Sequence, residues 1–132
     1  MHLIATHGGI PLGVSFSDAQ KHNVTQVLET IESIPISTKR AKLLSDMGYI
    51  SKNLKQELKT RQISLIYPHR KNMRPVSKGA RQQLRYRKQI EHNFASLKRH
   101  RNISVRRERK LYTFKSICYL AIGIHLFAKV QN

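Results

Sequence analysis

Four side chains in this sequence have the types and the spacing that phosphate chemistry uses. Arg87, Glu91 and Lys98 fall within about 40° of one another on a helix advancing about 100° per residue. Asp46, the fourth, follows Leu43-Leu44 at the carboxyl end of a short apolar run, where open α/β sheets place their ligand crevices. Each has an ordinary explanation. Glu91 can pair with Arg87 one turn earlier, worth about 0.3–0.5 kcal/mol, and Asp46 can form a turn before Gly48. Brought together, two carboxylates would bind Mg²⁺ as hard oxygen ligands. A pair of such ions about 4 Å apart activates an attacking oxygen and stabilises a leaving one. A complete site of this kind needs a third acid, and none of the other five is well placed. Asp18 reads as a helix N-cap, Glu29 and Glu32 as solvated helix residues, and Glu57 and Glu108 as surface pairs.

The composition names the class of partner. The chain has 132 residues, 39% of them apolar, which suits one domain with a real core. Its formal charge is +18, with 25 Lys and Arg against seven acids. Residues 1–38 hold Lys21 against Asp18, Glu29 and Glu32, so the positive excess lies wholly downstream. A polyanion is implied there, nucleic acid before membrane. The single cysteine, Cys118, excludes a disulfide framework and a cysteine-rich zinc site, and its apolar surroundings predict a buried thiol. His22, His92 and His100 lack metal-ligand spacing and are expected at the surface. No G-x-S-x-G motif supports a hydrolase.

The elements that must position these residues alternate. Residues 2–16 read as two strands about a Gly8-Gly9 turn. A helix over 18–33, a strand over 42–46, a helix over 51–61 and a strand over 63–67 follow. Ser51 is the expected cap of the second helix, with Leu54 and Leu58 inward. A basic loop spans 68–81. A long helix covers 82–100, with Ile90, Phe94 and Leu97 as its apolar stripe. The last helix covers 113–128. Its apolar run 117–128 is too short to span a bilayer and is expected as a buried core helix. The alternation argues an α/β layered domain.

At these residues the chain resembles the DDE transposases of bacterial insertion sequences, whose catalytic domain is RNase H-like. Asp46-Met47-Gly48-Tyr49-Ile50-Ser51 is similar to the family's D-x-G-Y-x-S block, which carries its second catalytic Asp. Arg87, Glu91 and Lys98 match R-x3-E-x6-K in full, while Leu84 stands where the family has Tyr and Tyr86 lies out of register. His2 to Phe16 resembles the family's second and third strands. Ser64 to Arg74 resembles its strand and basic loop, and Arg99 to Ile103 with the last helix its closing segment.

The resemblance implies a partial RNase H-like fold, a mixed sheet with flanking helices and the first strand missing. It implies Mg²⁺ or Mn²⁺ in a two-metal site, with Asp46 and Glu91 as catalytic metal ligands. DNA contacts are implied at Arg87, Lys98, Arg70, Lys71, Arg74, Arg99, Arg101, Arg106 and Arg107. The family's first catalytic Asp lies upstream of the strand that opens here. The expectation is therefore a C-terminal transposase fragment, inactive alone, in a prokaryotic cytoplasm near the nucleoid. Its partners would be transposon-end and target DNA, with a homodimer or a complementing N-terminal fragment. The alternative is a basic nucleic-acid-binding protein without chemistry.

Overall fold

A computed structural model describes residues 1–16, 23–49, 51–69, 77–105 and 107–131. Strands β1 (His2–Ala5) and β2 (Pro11–Ser15) form an antiparallel hairpin, followed by α1 (Asn23–Glu32). Then come β3 (Lys42–Leu44), a 3₁₀ turn over Met47–Tyr49, α2 (Lys52–Thr60) and β4 (Ser64–Ile66), with β3 and β4 parallel. Four helices close the chain: α3 (Lys78–Leu84), α4 (Arg87–Lys98), α5 (Arg101–Ser104) and α6 (Leu111–Val130).

The hairpin turn differs from the expected two-residue loop. Thr6 N–H donates to Ile10 O at 2.8 Å and Gly9 N–H to Thr6 O at 2.9 Å, leaving a three-residue loop. Gly9 takes the left-handed conformation this loop requires, at φ 80°. The register then shifts between Ile4 and Ala5, so the strands bulge where they leave the turn.

Alternation along β1 divides its side chains between two cores. Ile4 packs with Leu43 and Leu65 against Ile31, Leu54, Leu58 and Ile63. Leu3 packs on the opposite side against Leu97 and Ala121. The hairpin is thus a middle layer, with α1 and α2 on one side and α4 and α6 on the other. Beyond β2, α1 approaches closely. Val14 N–H donates to Ser33 Oγ at 3.0 Å, and Ser15 Oγ lies 2.6 Å from Thr30 Oγ1. A Cβ on Gly13 would meet Thr30 O at 2.6 Å. Only glycine admits this contact.

The single mixed sheet is corrected. Among the described residues the strands form two separate two-stranded sheets. Both still share the Ile31, Leu54, Leu58 and Ile63 cluster, so side-chain packing joins them where no backbone ladder does.

The second half opens on two left-handed residues, Arg40 at φ 61° and Gln62 at φ 58°. Gln62 follows α2 in a Schellman arrangement. Ile63 N–H donates to Leu58 O at 2.8 Å and Gln62 N–H to Lys59 O at 3.0 Å. Arg40 N–H then donates to Gln62 O at 2.9 Å, setting the start of the β3–β4 pair. At the other end of α2, Ser51 is the N-cap, accepting from Leu54 N–H at 3.0 Å. Leu54 and Leu58 are fully buried, as the spacing predicted.

Two helix expectations change. The helix over 82–100 is broken. Arg85 and Tyr86 N–H donate three residues back, to Gln82 O at 3.2 Å and Gln83 O at 3.0 Å, bending the chain between α3 and α4. Tyr86 there packs edge-on against His7 of the hairpin turn, with ring centroids 5.3 Å apart. That contact is tertiary and leaves no local signal. The final helix is longer than the expected 113–128, with 20 residues, and gains Leu111 and Tyr112 at its start and Lys129 and Val130 at its end. By length and composition it could cross a membrane. It is also not a buried core helix. Cys118 and Ala121 are buried, and most of its large apolar residues are exposed. Burial of Cys118 is as predicted, and it pushes the thiol above its ordinary range.

Two substitutions should move stability in opposite directions, read by urea unfolding. Gln62→Gly relieves a side chain in the left-handed region and should stabilise by about 1 kcal/mol. Gly13→Ala forces the hairpin off α1 and should destabilise by about 1–3 kcal/mol.

Candidate functional site

The parallel pair delivers Asp46. The ladder continues past β3 through Ser45 N–H to Ile66 O at 3.0 Å, and the chain then turns sharply. Asp46 makes the turn itself: Oδ1 accepts from Met47 N–H at 2.6 Å, and its carbonyl accepts from Tyr49 N–H at 3.2 Å. The strand is shorter than the expected 42–46, so Asp46 sits on the turn rather than on the strand end. It remains at the carboxyl edge of the parallel pair. Tyr49 anchors this turn to the hairpin, its hydroxyl 3.4 Å from His2 Nδ1. Burial, and then the charge of the chain's amino terminus, lower the pKa of His2 from its ordinary value.

The first residue of α4 reaches this turn. Arg87 Nη2 lies 3.5 Å from Asp46 Oδ1, joining the two sequence blocks. The side chains are 28% and 64% exposed respectively, so the pair is screened and contributes roughly 0–1 kcal/mol. The geometry therefore pairs Arg87 with Asp46 instead of the helical neighbour Glu91. Glu91 lies one turn further along α4 and is exposed, as is Lys98.

Polar contacts with α6 hold α4 in this position. Asn93 is 1% exposed, and its Oδ1 lies 3.2 Å from His125 Nε2 on α6. Ser96 Oγ lies 3.2 Å from His125 Nδ1. Lys129 Nζ donates to Gly8 O at 3.1 Å, bringing the hairpin turn into the same junction. Leu97, 1% exposed, packs beside it on Leu3 and Ala121. The sequence pattern did not single out Asn93, Ser96, His125 or Lys129. Their only signal was polar types at helical spacing beside apolar stripes.

A further group flanks the end of β4. Lys55 Nζ donates to the Tyr67 hydroxyl and lies 4.6 Å from its ring centroid. Tyr67 packs on His69, centroids 5.0 Å apart and planes tilted by 39°. The register that sets Leu44 opposite Ile66 carries the chain to Tyr67 at the same edge as Ser45 and Asp46.

Glu29 is half-buried and acts electrostatically on His2. Glu32 and Glu57 both pair with Arg61, at 2.9 and 3.4 Å. Glu108, expected on the surface, is half-buried. Of the expected DNA contacts, Lys98, Arg99, Arg101 and Arg107 are exposed. Arg70, Lys71, Arg74 and Arg106 lie outside the described residues, as do Asp18 and His22.

The transposase DDE domain family matches residues 1–127. This chain belongs to that family. No curated protein and no solved structure matches it. The family links the domain to transposition through DNA strand cleavage and transfer, with DNA as substrate. DDE transposase domains generally use divalent metal ions. Asp46 offers a suitable hard oxygen donor, but its Oδ1 already takes Met47 N–H and the Arg87 guanidinium. Among the described residues no group of three or more His, Cys, Asp or Glu could hold a metal. The described residues therefore fit only part of a DDE metal site.

The α4–α6 junction makes a pH prediction. Burial, and then Lys129, hold His125 below its ordinary value of 6.5. The unfolded chain then binds the proton more tightly, so stability is lost as pH falls through 6.5 and toward the lower folded value. His125→Gln keeps a hydrogen-bonding group beside Asn93 and removes the titration. Its urea midpoint should fall less than wild type between about pH 7.5 and about pH 5. Equal falls would show that His125 does not carry the effect.

Proposed function

We propose that this chain is the Asp46- and Glu91-bearing part of an RNase H-like catalytic domain from an insertion-sequence transposase, inactive by itself. The carrying observation is the Arg87–Asp46 contact, which unites the two motif blocks at the carboxyl edge of parallel strands. Asp46 and Glu91 would be ligands to Mg²⁺ or Mn²⁺, which supplies Lewis-acid activation of the phosphodiester when bound. Arg87 and Lys98, with the basic residues of the 68–81 and 99–107 segments, would hold DNA phosphates without reading sequence.

The two-sheet arrangement supports a complementing segment. Among the described residues β1 and β3 each pair with one strand, and both contribute to one apolar cluster. A further strand seated between them would join the sheets into one and could bring the missing carboxylate to Asp46. Without it, the chain should bind DNA and leave it uncut.

Two measurements test this. Fluorescence anisotropy with duplex DNA should give salt-sensitive binding, and Lys98→Gln should reduce the log–log salt slope by about 1. Electron paramagnetic resonance with Mn²⁺ should show binding to wild type that is lost in Asp46→Asn with Glu91→Gln. Identical Mn²⁺ spectra for both proteins would replace this reading with a purely DNA-binding one.

A further inference from the structure

The contact between Arg87 and Asp46 is loose. Arg87 Nη2 lies 3.5 Å from Asp46 Oδ1, beyond the roughly 2.7–2.9 Å of a charge-assisted hydrogen bond. The same oxygen already accepts Met47 N–H at 2.6 Å, and the carboxylate is 64% exposed. Releasing the guanidinium leaves the Asp46 turn intact, because Met47 N–H stays on Oδ1 and Tyr49 N–H on the carbonyl. It leaves α4 in place too, since Asn93 and Leu97 hold that helix further along. Rotation of one side chain is enough.

A phosphate is the better partner for this guanidinium. It accepts two parallel N–H bonds from the fork, whereas the Asp46 oxygen is shared with a backbone amide. The surroundings add to the attraction. Arg85 and Lys88 are exposed on either side of Arg87, and the first turn of α4 holds no acid. In the DNA-free chain, Asp46 is the carboxylate that engages this cationic entry.

We infer that Arg87 is a latch on Asp46 that a DNA phosphate opens, so that DNA unmasks the Asp46 carboxylate for a divalent cation. With the latch closed, a cation approaching Asp46 meets an engaged oxygen and a neighbouring positive charge. With it open, the carboxylate stays where its turn holds it and that charge has moved to the phosphate. Linkage makes the effect mutual: a cation on Asp46 tightens DNA by the factor by which DNA tightens the cation. The pair is solvent-screened, which limits the latch's share of that factor to about fivefold. This inference rests on the reading of α4 as a DNA surface and Asp46 as a metal ligand, and adds the order in which they are engaged.

The test is a cycle of duplex affinities by fluorescence anisotropy, in EDTA so that no metal contributes. Asp46→Asn should tighten binding about three- to fivefold over wild type. Glu91→Gln removes the same charge from a residue that does not hold Arg87, and should tighten it less. In an Arg87→Gln background the two substitutions should have equal effects. Equal effects in the wild-type background would overturn the inference, and weaker binding by Lys98→Gln would then leave the DNA reading standing. If neither Lys98→Gln nor Arg87→Gln weakens binding, both fall. Mn²⁺ binding by electron paramagnetic resonance, without DNA, is the second measurement. Arg87→Gln should bind Mn²⁺ more tightly than Lys88→Gln, which removes the neighbouring charge, and should gain less than wild type from added duplex. Indistinguishable Mn²⁺ affinities for these two variants would also overturn the latch.

Discussion

The two sheets of this domain are joined by a shared cluster of apolar side chains. Ile31 from α1 meets Leu54 and Leu58 from α2 and Ile63 before β4, and the cluster takes in Ile4 from one sheet and Leu43 and Leu65 from the other. Among the described residues, no ladder of backbone hydrogen bonds connects the two sheets. Apolar packing has no direction of its own. The relative placement of the sheets therefore depends on how well these few side chains interlock, and with it the distance from the β3 edge to α4.

The candidate site inherits this dependence. Asp46 is fixed locally by its own turn and by Tyr49 against His2. Arg87 is fixed from the far side, through Asn93 and Leu97 packed against β1 and α6. Their contact at 3.5 Å thus measures whether both cores have formed. A pair this exposed adds little stability. Its effect is to bring a guanidinium and a carboxylate from two separate sequence blocks to one edge of the fold.

Charge is separated in space as well as along the chain. Exposed cations Lys98, Arg99, Arg101 and Arg107 lie on and after α4, while α6 turns its own cations inward and an uncharged face outward. The exposed cations and the exposed apolar residues thus occupy different parts of the molecule.

Much of this was legible in the residues themselves. The spacing of Leu54 and Leu58, the Ser51 cap, burial of Cys118 and the two motif blocks depend on local periodicity, capping chemistry and residue type, and all are written along short stretches. What tertiary structure decided involves residues distant in sequence. Tyr86 packs on His7 where the long helix breaks, and His125 meets Asn93, so polar residues of an apparently apolar helix face inward. Pairing of Arg87 with Asp46 over Glu91 is of the same kind. Helical spacing offers Arg87 a partner one turn away, but only the packed fold sets which carboxylate lies within reach of its guanidinium.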